Sequence, residues 1–394
     1  MNFKNVCKMR QLLSLFFLLT FTLSCQQSTL NSDKSSNESL NRAALADKYE
    51  LIKKQKKQQS LLDLPFRGFD TDKSLTVIAT GSCADQDQPQ PIWKTIEKNS
   101  PDLFIFSGDT IYSSHPDNKP VASQFKKLNF IYEYRDARLK IPFMAIWDDN
   151  DFGQNDGGAD NPEKEAYRAE FVKYWSYLNT TLPPKQKALY HSKIFGSKKN
   201  KVQVIMLDTR WDRSALIKNT TDTYNSANPE PGTFPHLYLP NEDKSARILS
   251  DEQWSWLESE LHKPADLRLI ISSIQVIPND HGFEKWGNFP KEKDKLFNLL
   301  KKMKLKNVAI LSGDRHSASI AKTEISGSTI YEMTSSGLNR PARPGGLIPD
   351  STYIGEPYGP VNFGLVRINW EQRKVSLEVR SLEDEVKNSV DFKF

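Results

Sequence analysis

Six short apolar runs, each halting at a cluster of chemically active side chains, constrain this chain more than any other feature. Residues 103–106, Leu-Phe-Ile-Phe, suit a buried strand, and they stop at Ser107-Gly108, where the backbone can turn sharply ahead of Asp109 and Tyr112. The run at 75–80 delivers Gly81-Ser82-Cys83, and the run at 141–147 ends in Asp148-Asp149-Asn150-Asp151. Residues 202–207 lead to Asp208-Thr209-Arg210, 267–273 to Asn279-Asp280-His281, and 308–312 to Gly313-Asp314-Arg315-His316. Helical stretches at 93–98, 125–139, 251–261 and 291–304 fall between the runs, which predicts an α/β fold with its ligands at the carboxyl ends of the strands. Ser250-Asp251-Glu252-Gln253 is a capping box for the third of these helices. Two hairpins, at 323–334 and 363–381, complete the pattern, and residues 211–249 read as a long loop or cap. Six runs ending this way place thiolate, carboxylate, phenolate and imidazole on one rim of one sheet, the makeup of a multinuclear metal centre.

The N-terminus reads as an export signal. Lys4, Lys8 and Arg10 precede an apolar stretch at 12–23 that is short for a bilayer span, and Ser24-Cys25 follows where processing would occur. The expected organisation is a signal peptide at 1–24, a lipid-anchored tether at 25–67 with Cys25 modified, and a single domain at 68–394. This describes an exported bacterial lipoprotein, periplasmic or cell-surface, held to a membrane through its N-terminus and expected to be a monomer. With 54 basic and 49 acidic residues spread along the chain, nothing argues for a nucleic-acid groove, and none is expected as a partner.

Removal of Cys7 with the signal and modification of Cys25 leave Cys83 alone, which makes it an inert buried thiol or a metal ligand. Asp148, Asp149 and Asp151 repel one another once partly desolvated, and a cation relieves that repulsion. Arg210 suits either bidentate contact with a phosphate or a salt bridge with Asp208.

Taken in order from Gly81-Ser-Cys83 through Ser107-Gly-Asp-Thr-Ile-Tyr112, Trp147-Asp-Asp-Asn-Asp-Phe-Gly153, Asn155-Asp156, Leu207-Asp-Thr-Arg210 and His281-Gly-Phe-Glu-Lys-Trp286 to Ser312-Gly-Asp-Arg-His316, the chain resembles the PhoD-like (alkaline phosphatase D) branch of the calcineurin-like metallophosphoesterases. The resemblance implies a four-layered α/β/β/α sandwich with metals at the strand ends. It implies that Cys83, Asp109, Tyr112 and His316 hold a trivalent iron, that Asp109 bridges to a second site with Asp149, and that Asp314 belongs to the same metal set. The second ion would be calcium or another divalent metal. The implied activity is hydrolysis of phosphoric mono- or diesters by a metal-bound hydroxide, with Arg210 neutralising phosphoryl charge and His281 or His316 available for proton transfer. Phosphodiesters of lipid or cell-wall type are the alternative substrates. Asn150 departs from the pattern, because it stands where the family carries a histidine, and an amide cannot transfer a proton near neutral pH. A non-catalytic surface lipoprotein that binds phosphate or metal is the reading of another class.

Overall fold

Strands β1 (Val77–Gly81), β2 (Leu103–Ser107) and β3 (Phe143–Ile146) lie parallel, Ile78 facing Leu103 and Phe104 facing Phe143 in register. Each of these strands is almost wholly buried, which is why their sequences are continuous apolar runs rather than alternating ones. The returns between them are helical: α1 (Ile92–Lys98), then α2 (Val121–Phe130) and α3 (Tyr132–Lys140). The expected helix at 125–139 is two helices, because Ile131 adopts an extended backbone (φ −69°, ψ 113°) between them. The computed structural model describes residues 66–113, 120–222, 224, 234–342 and 347–394. Cys25, the signal and the tether up to residue 65 lie outside the described residues.

After the acidic cluster come three helices, α4 (Asp149–Phe152), α5 (Lys164–Tyr174) and α6 (Leu178–Thr181). Strands β4 (His191–Phe195) and β5 (Val202–Met206) then begin a second sheet. A two-residue pair, β6 (Ile217–Lys218) with β7 (Tyr238–Leu239), stands in the long loop. Helix α7 (Asp251–Leu261) opens as expected, the Ser250 hydroxyl accepting from the Gln253 amide. Strand β8 (Leu267–Ser272), helix α8 (Pro290–Lys302) with proline in its first turn, and β9 (Val308–Ser312) continue the second sheet. The hairpin β10 (Ala318–Ile325) and β11 (Ser328–Ser335) completes it, in the order β10-β11-β9-β8-β5-β4. The chain returns to the first sheet through β12 (Asn362–Asn369), β13 (Lys374–Ser381) and β14 (Val386–Lys393), giving β14-β13-β12-β1-β2-β3. The strand β14 went unread in the sequence because it is an edge strand, mostly exposed, whose inward-facing Asn388, Val390 and Phe392 are only half-buried and give a weak pattern.

The two sheets face each other. Val204, Met206, Leu269, Ile271, Ala309 and Leu311 pack inward with Ile78, Ile105 and Val366 of the first sheet. Their alternates, Ile205, Ile270, Val308 and Ile310, pack outward under Leu257, Leu261, Leu296 and Leu300 of α7 and α8. On the other outer face α1 buries Trp93 against Phe104, Phe106 and Phe143, with ring centroids 4.9 to 5.7 Å apart. This is the four-layered α/β/β/α arrangement. It corrects the expectation of one sheet: β1, β2 and β3 end in Cys83, Asp109 and Asp149, whereas Arg210, Asp314 and His316 follow strands of the second sheet. Among the described residues no helix is long and apolar enough to cross a membrane.

Candidate metal centre

Every strand that leads to the site ends in an abrupt turn. Gly108 has φ +107°, and a Cβ there would stand 2.4 Å from the Cβ of Asp148. Cys83, Asp109, Asp156, Asp314 and His316 all have positive φ, between 50° and 70°, without being glycine. Backbone held in this sparsely populated region costs on the order of 1–3 kcal/mol per residue and persists where function demands the geometry. The bends turn side chains from both sheets into one cleft of about 350 Å³, whose lining includes Asp109, Tyr112, Asp149, Asn150, Asp156, Asp314 and His316.

Within the cleft Asp109 is the common member. Its Oδ2 lies 3.5 Å from the Cys83 thiol, 3.3 Å from the Tyr112 hydroxyl and 3.1 Å from the Asn150 amide nitrogen. Tyr112 Oη is in turn 3.2 Å from His316 Nε2. Three groups of donor atoms lie within 4.8 Å of one another: Cys83, Asp109 and His316; Asp109, Asp148 and Asp149; Asp149, Asp156 and Asp314. Because Asp109 and Asp149 each belong to two groups, the three form a chain of adjoining sites. The donors fit the cations that the chemistry asks for, thiolate, phenolate and imidazole at one end and carboxylates alone at the other.

Asn150 stands between the first two groups, its amide donating to Asp149 at 2.8 Å as well as to Asp109. Asp156 and Ser336 were missed in the sequence as site residues. Asp156 follows no apolar run, and its carboxylate receives the hydroxyl of Tyr238 from β7, so the long loop closes one wall of the cleft. Ser336 Oγ is 3.1 Å from the Cys83 sulfur, and the one signal for it was its place directly after a strand.

Two expectations are corrected. Arg210 does not line the cleft: its side chain is fully buried, 2.6 Å from Asp148 and 2.7 Å from Glu284. Nor is its partner Asp208, whose carboxylate instead accepts the Arg210 and Trp211 amides and the Trp147 indole. His281 is 2 % exposed, neither ring nitrogen has a hydrogen-bond partner among the described residues, and it too is absent from the cleft lining. Burial, then the charges of Arg315, Lys285 and Lys293, hold it well below the usual imidazole range, so it is neutral.

The site's electrostatics favour protons in the absence of cations. Burial, then Asp149 and Asp148, push the Asp109 carboxyl well up, while burial and then Asp109 do the same to the Cys83 thiol. Asp151 is raised to about 7 by burial, and Asp156 to about 7 by burial and then Glu284. Raised carboxyl values mean that the folded state binds more protons than the unfolded chain between the ordinary value of 3.8 and about 7. The metal-free protein is therefore expected to lose stability as pH rises through that window, and added metal to raise the melting temperature more at pH 8 than at pH 5. Thermal scans with and without metal at both pH values measure this, and a metal effect independent of pH would contradict it.

The profile of the PhoD-like phosphatase family matches residues 78–352. That is well over half of the chain. The chain belongs to the PhoD-like phosphatase family. It is 24 % identical over 287 residues to alkaline phosphatase D of Bacillus subtilis (strain 168), covering 62 % of this chain and 46 % of that protein, so it spans about half the length of that curated relative. A solved structure of PhoD superposes with a TM-score of 0.60 at 15 % identity, covering 83 % of this chain and 70 % of that one, which shows a shared fold. The ligand groups of this PhoD-like chain sit on the turns after β1, β2, β3 and β9 and in the segment after α4.

Proposed function

We propose that this chain hydrolyses phosphoric esters with the help of at least two cations held by the adjoining ligand groups. The observation that carries the reading is the sharing of Asp109 and Asp149 between neighbouring groups that line one cleft. Cys83, Asp109, Tyr112 and His316 would hold a trivalent iron, and Asp149 with Asp156 and Asp314 calcium or another divalent ion. When bound, such cations neutralise phosphoryl oxygens and lower the pKa of water from 15.7 toward about 7 to 9. The chain's own residues position the ester: Asn150 offers an amide donor at the wall shared by Asp109 and Asp149, and Leu237, Phe283 and Pro341 exclude water around the organic part. With His316 among the groups that would hold the iron and His281 buried away from the cleft, the proton at the leaving oxygen is left to solvent.

Elemental analysis of the purified protein, paired with rates on p-nitrophenyl phosphate and its bis-ester, tests the reading. A metal-loaded protein that turns over neither ester would favour a phosphate-binding lipoprotein, for which the amide at Asn150 is the specific support. A faster rate on the bis-ester would assign it to phosphodiesters. Tyrosinate on ferric iron absorbs in the visible, so Tyr112→Phe is expected to bleach the colour of the loaded protein. An unchanged spectrum would remove Tyr112 from the iron site. Export and lipid attachment at Cys25 belong to the same proposal, and the mass of the mature N-terminus checks them.

A further inference from the structure

Arg315 is nine-tenths buried, 9 % exposed, yet its guanidinium lines the open cleft. Among the described residues it forms no ion pair and no side-chain hydrogen bond, in contrast to Arg210 and Arg213, which share Glu284, and to Arg340, which reaches Asp85 at 3.5 Å. Its guanidinium lies over the ring of Phe283, with the guanidinium carbon 4.1 Å from the centroid. A buried charge without a counter-ion is costly, and stacking on an aromatic face recovers only part of the loss. Stacking also fixes the plane, so the N–H edges are presented in a preorganised fork that matches an oxyanion.

The scissile phosphoryl group has another place to go, at the carboxylate groups that hold cations. Arg315 is held against the ring of Phe283, and its charge is felt by His281, Lys285 and Tyr353, none of which belongs to the three donor groups. We infer that Arg315 receives a second oxyanion on the substrate, a carboxylate or phosphate carried by the organic part of the ester. The inference rests on the phosphoesterase reading and narrows it to esters bearing two anionic groups, with Leu237 and Pro341 against the linker between them.

The test compares two diesters of 4-nitrophenyl phosphate, the ethyl and the carboxymethyl, with metal-loaded wild type, Arg315→Gln and Arg315→Lys. Wild type is expected to favour the carboxymethyl ester in kcat/KM by about 10- to 100-fold, the value of a charged hydrogen-bonded contact. Arg315→Gln should bring the ratio to about one by slowing only the carboxymethyl ester, and Arg315→Lys should keep part of the preference. Equal rates on the two esters in wild type, or an equal loss on both in Arg315→Gln, would overturn the inference and leave the phosphoesterase reading intact. If neither ester is turned over, that reading fails instead. Calorimetric binding of phosphoglycolate against ethyl phosphate then measures the same preference without turnover, and equal affinities would overturn it.

Discussion

Asp109→Asn is expected to reduce hydrolysis of p-nitrophenyl phosphate and of its bis-ester by about 1,000-fold or more. Asp109 is the one carboxylate that belongs both to the group containing Cys83 and His316 and to the group containing Asp148 and Asp149. An amide keeps the size of the side chain and its contact with the Asn150 backbone nitrogen at 3.2 Å, but it removes the charge that two cations would share. Loss of about 4 kcal/mol of charge stabilisation corresponds to that factor in rate. Far-UV circular dichroism should be unchanged, because the removed charge was itself unfavourable in the buried site: burial and the neighbouring aspartates hold its carboxyl well above the ordinary range. Activity within tenfold of wild type would exclude Asp109 from the reaction.

Arg210→Met is expected to destabilise the fold by about 3–5 kcal/mol, the cost of removing one partner from a buried ion pair. Asp148 and Glu284 would be left facing each other across the gap that the guanidinium filled, with Arg213, 3.1 Å from Glu284, the cation still paired to either among the described residues. Urea denaturation measures the loss, and adding Glu284→Gln should recover part of it, because the second substitution removes one of the stranded charges. The same network explains why Arg210 keeps a place after a strand without facing the cleft. It fastens β5's turn to the acidic segment after β3 through Asp148, and to the loop after β8 through Glu284. An Arg210→Lys protein with wild-type stability and lost turnover would restore the phosphate-facing role that its sequence position suggested.

Much of this architecture is legible in the chain itself. Buried strands wrote themselves as apolar runs because both of their faces lie in a core, and the ends of those runs named Cys83, Asp109, Tyr112, Asp149 and Asp314, all of which the fold brings to one place or its immediate neighbours. The edge strand β14, the break at Ile131 and the site residue Asp156 had no such signature. A strand pattern needs a buried face, a helix break at a non-proline residue depends on packing, and Asp156 reaches the cleft from an irregular segment.

Local properties, periodicity and residue chemistry, carried the class of fold, the order of the buried apolar strands and most of the donors. Direction came from the packed fold: Arg210 turns inward to Asp148 and Glu284, His281 is sealed away from the cleft, and Arg315 lies over Phe283 with no ion pair among the described residues. The physical reason is that a side chain's partner is chosen by the packing of two separate sheets, which sets distances between residues far apart in sequence and leaves no trace in the spacing of either one.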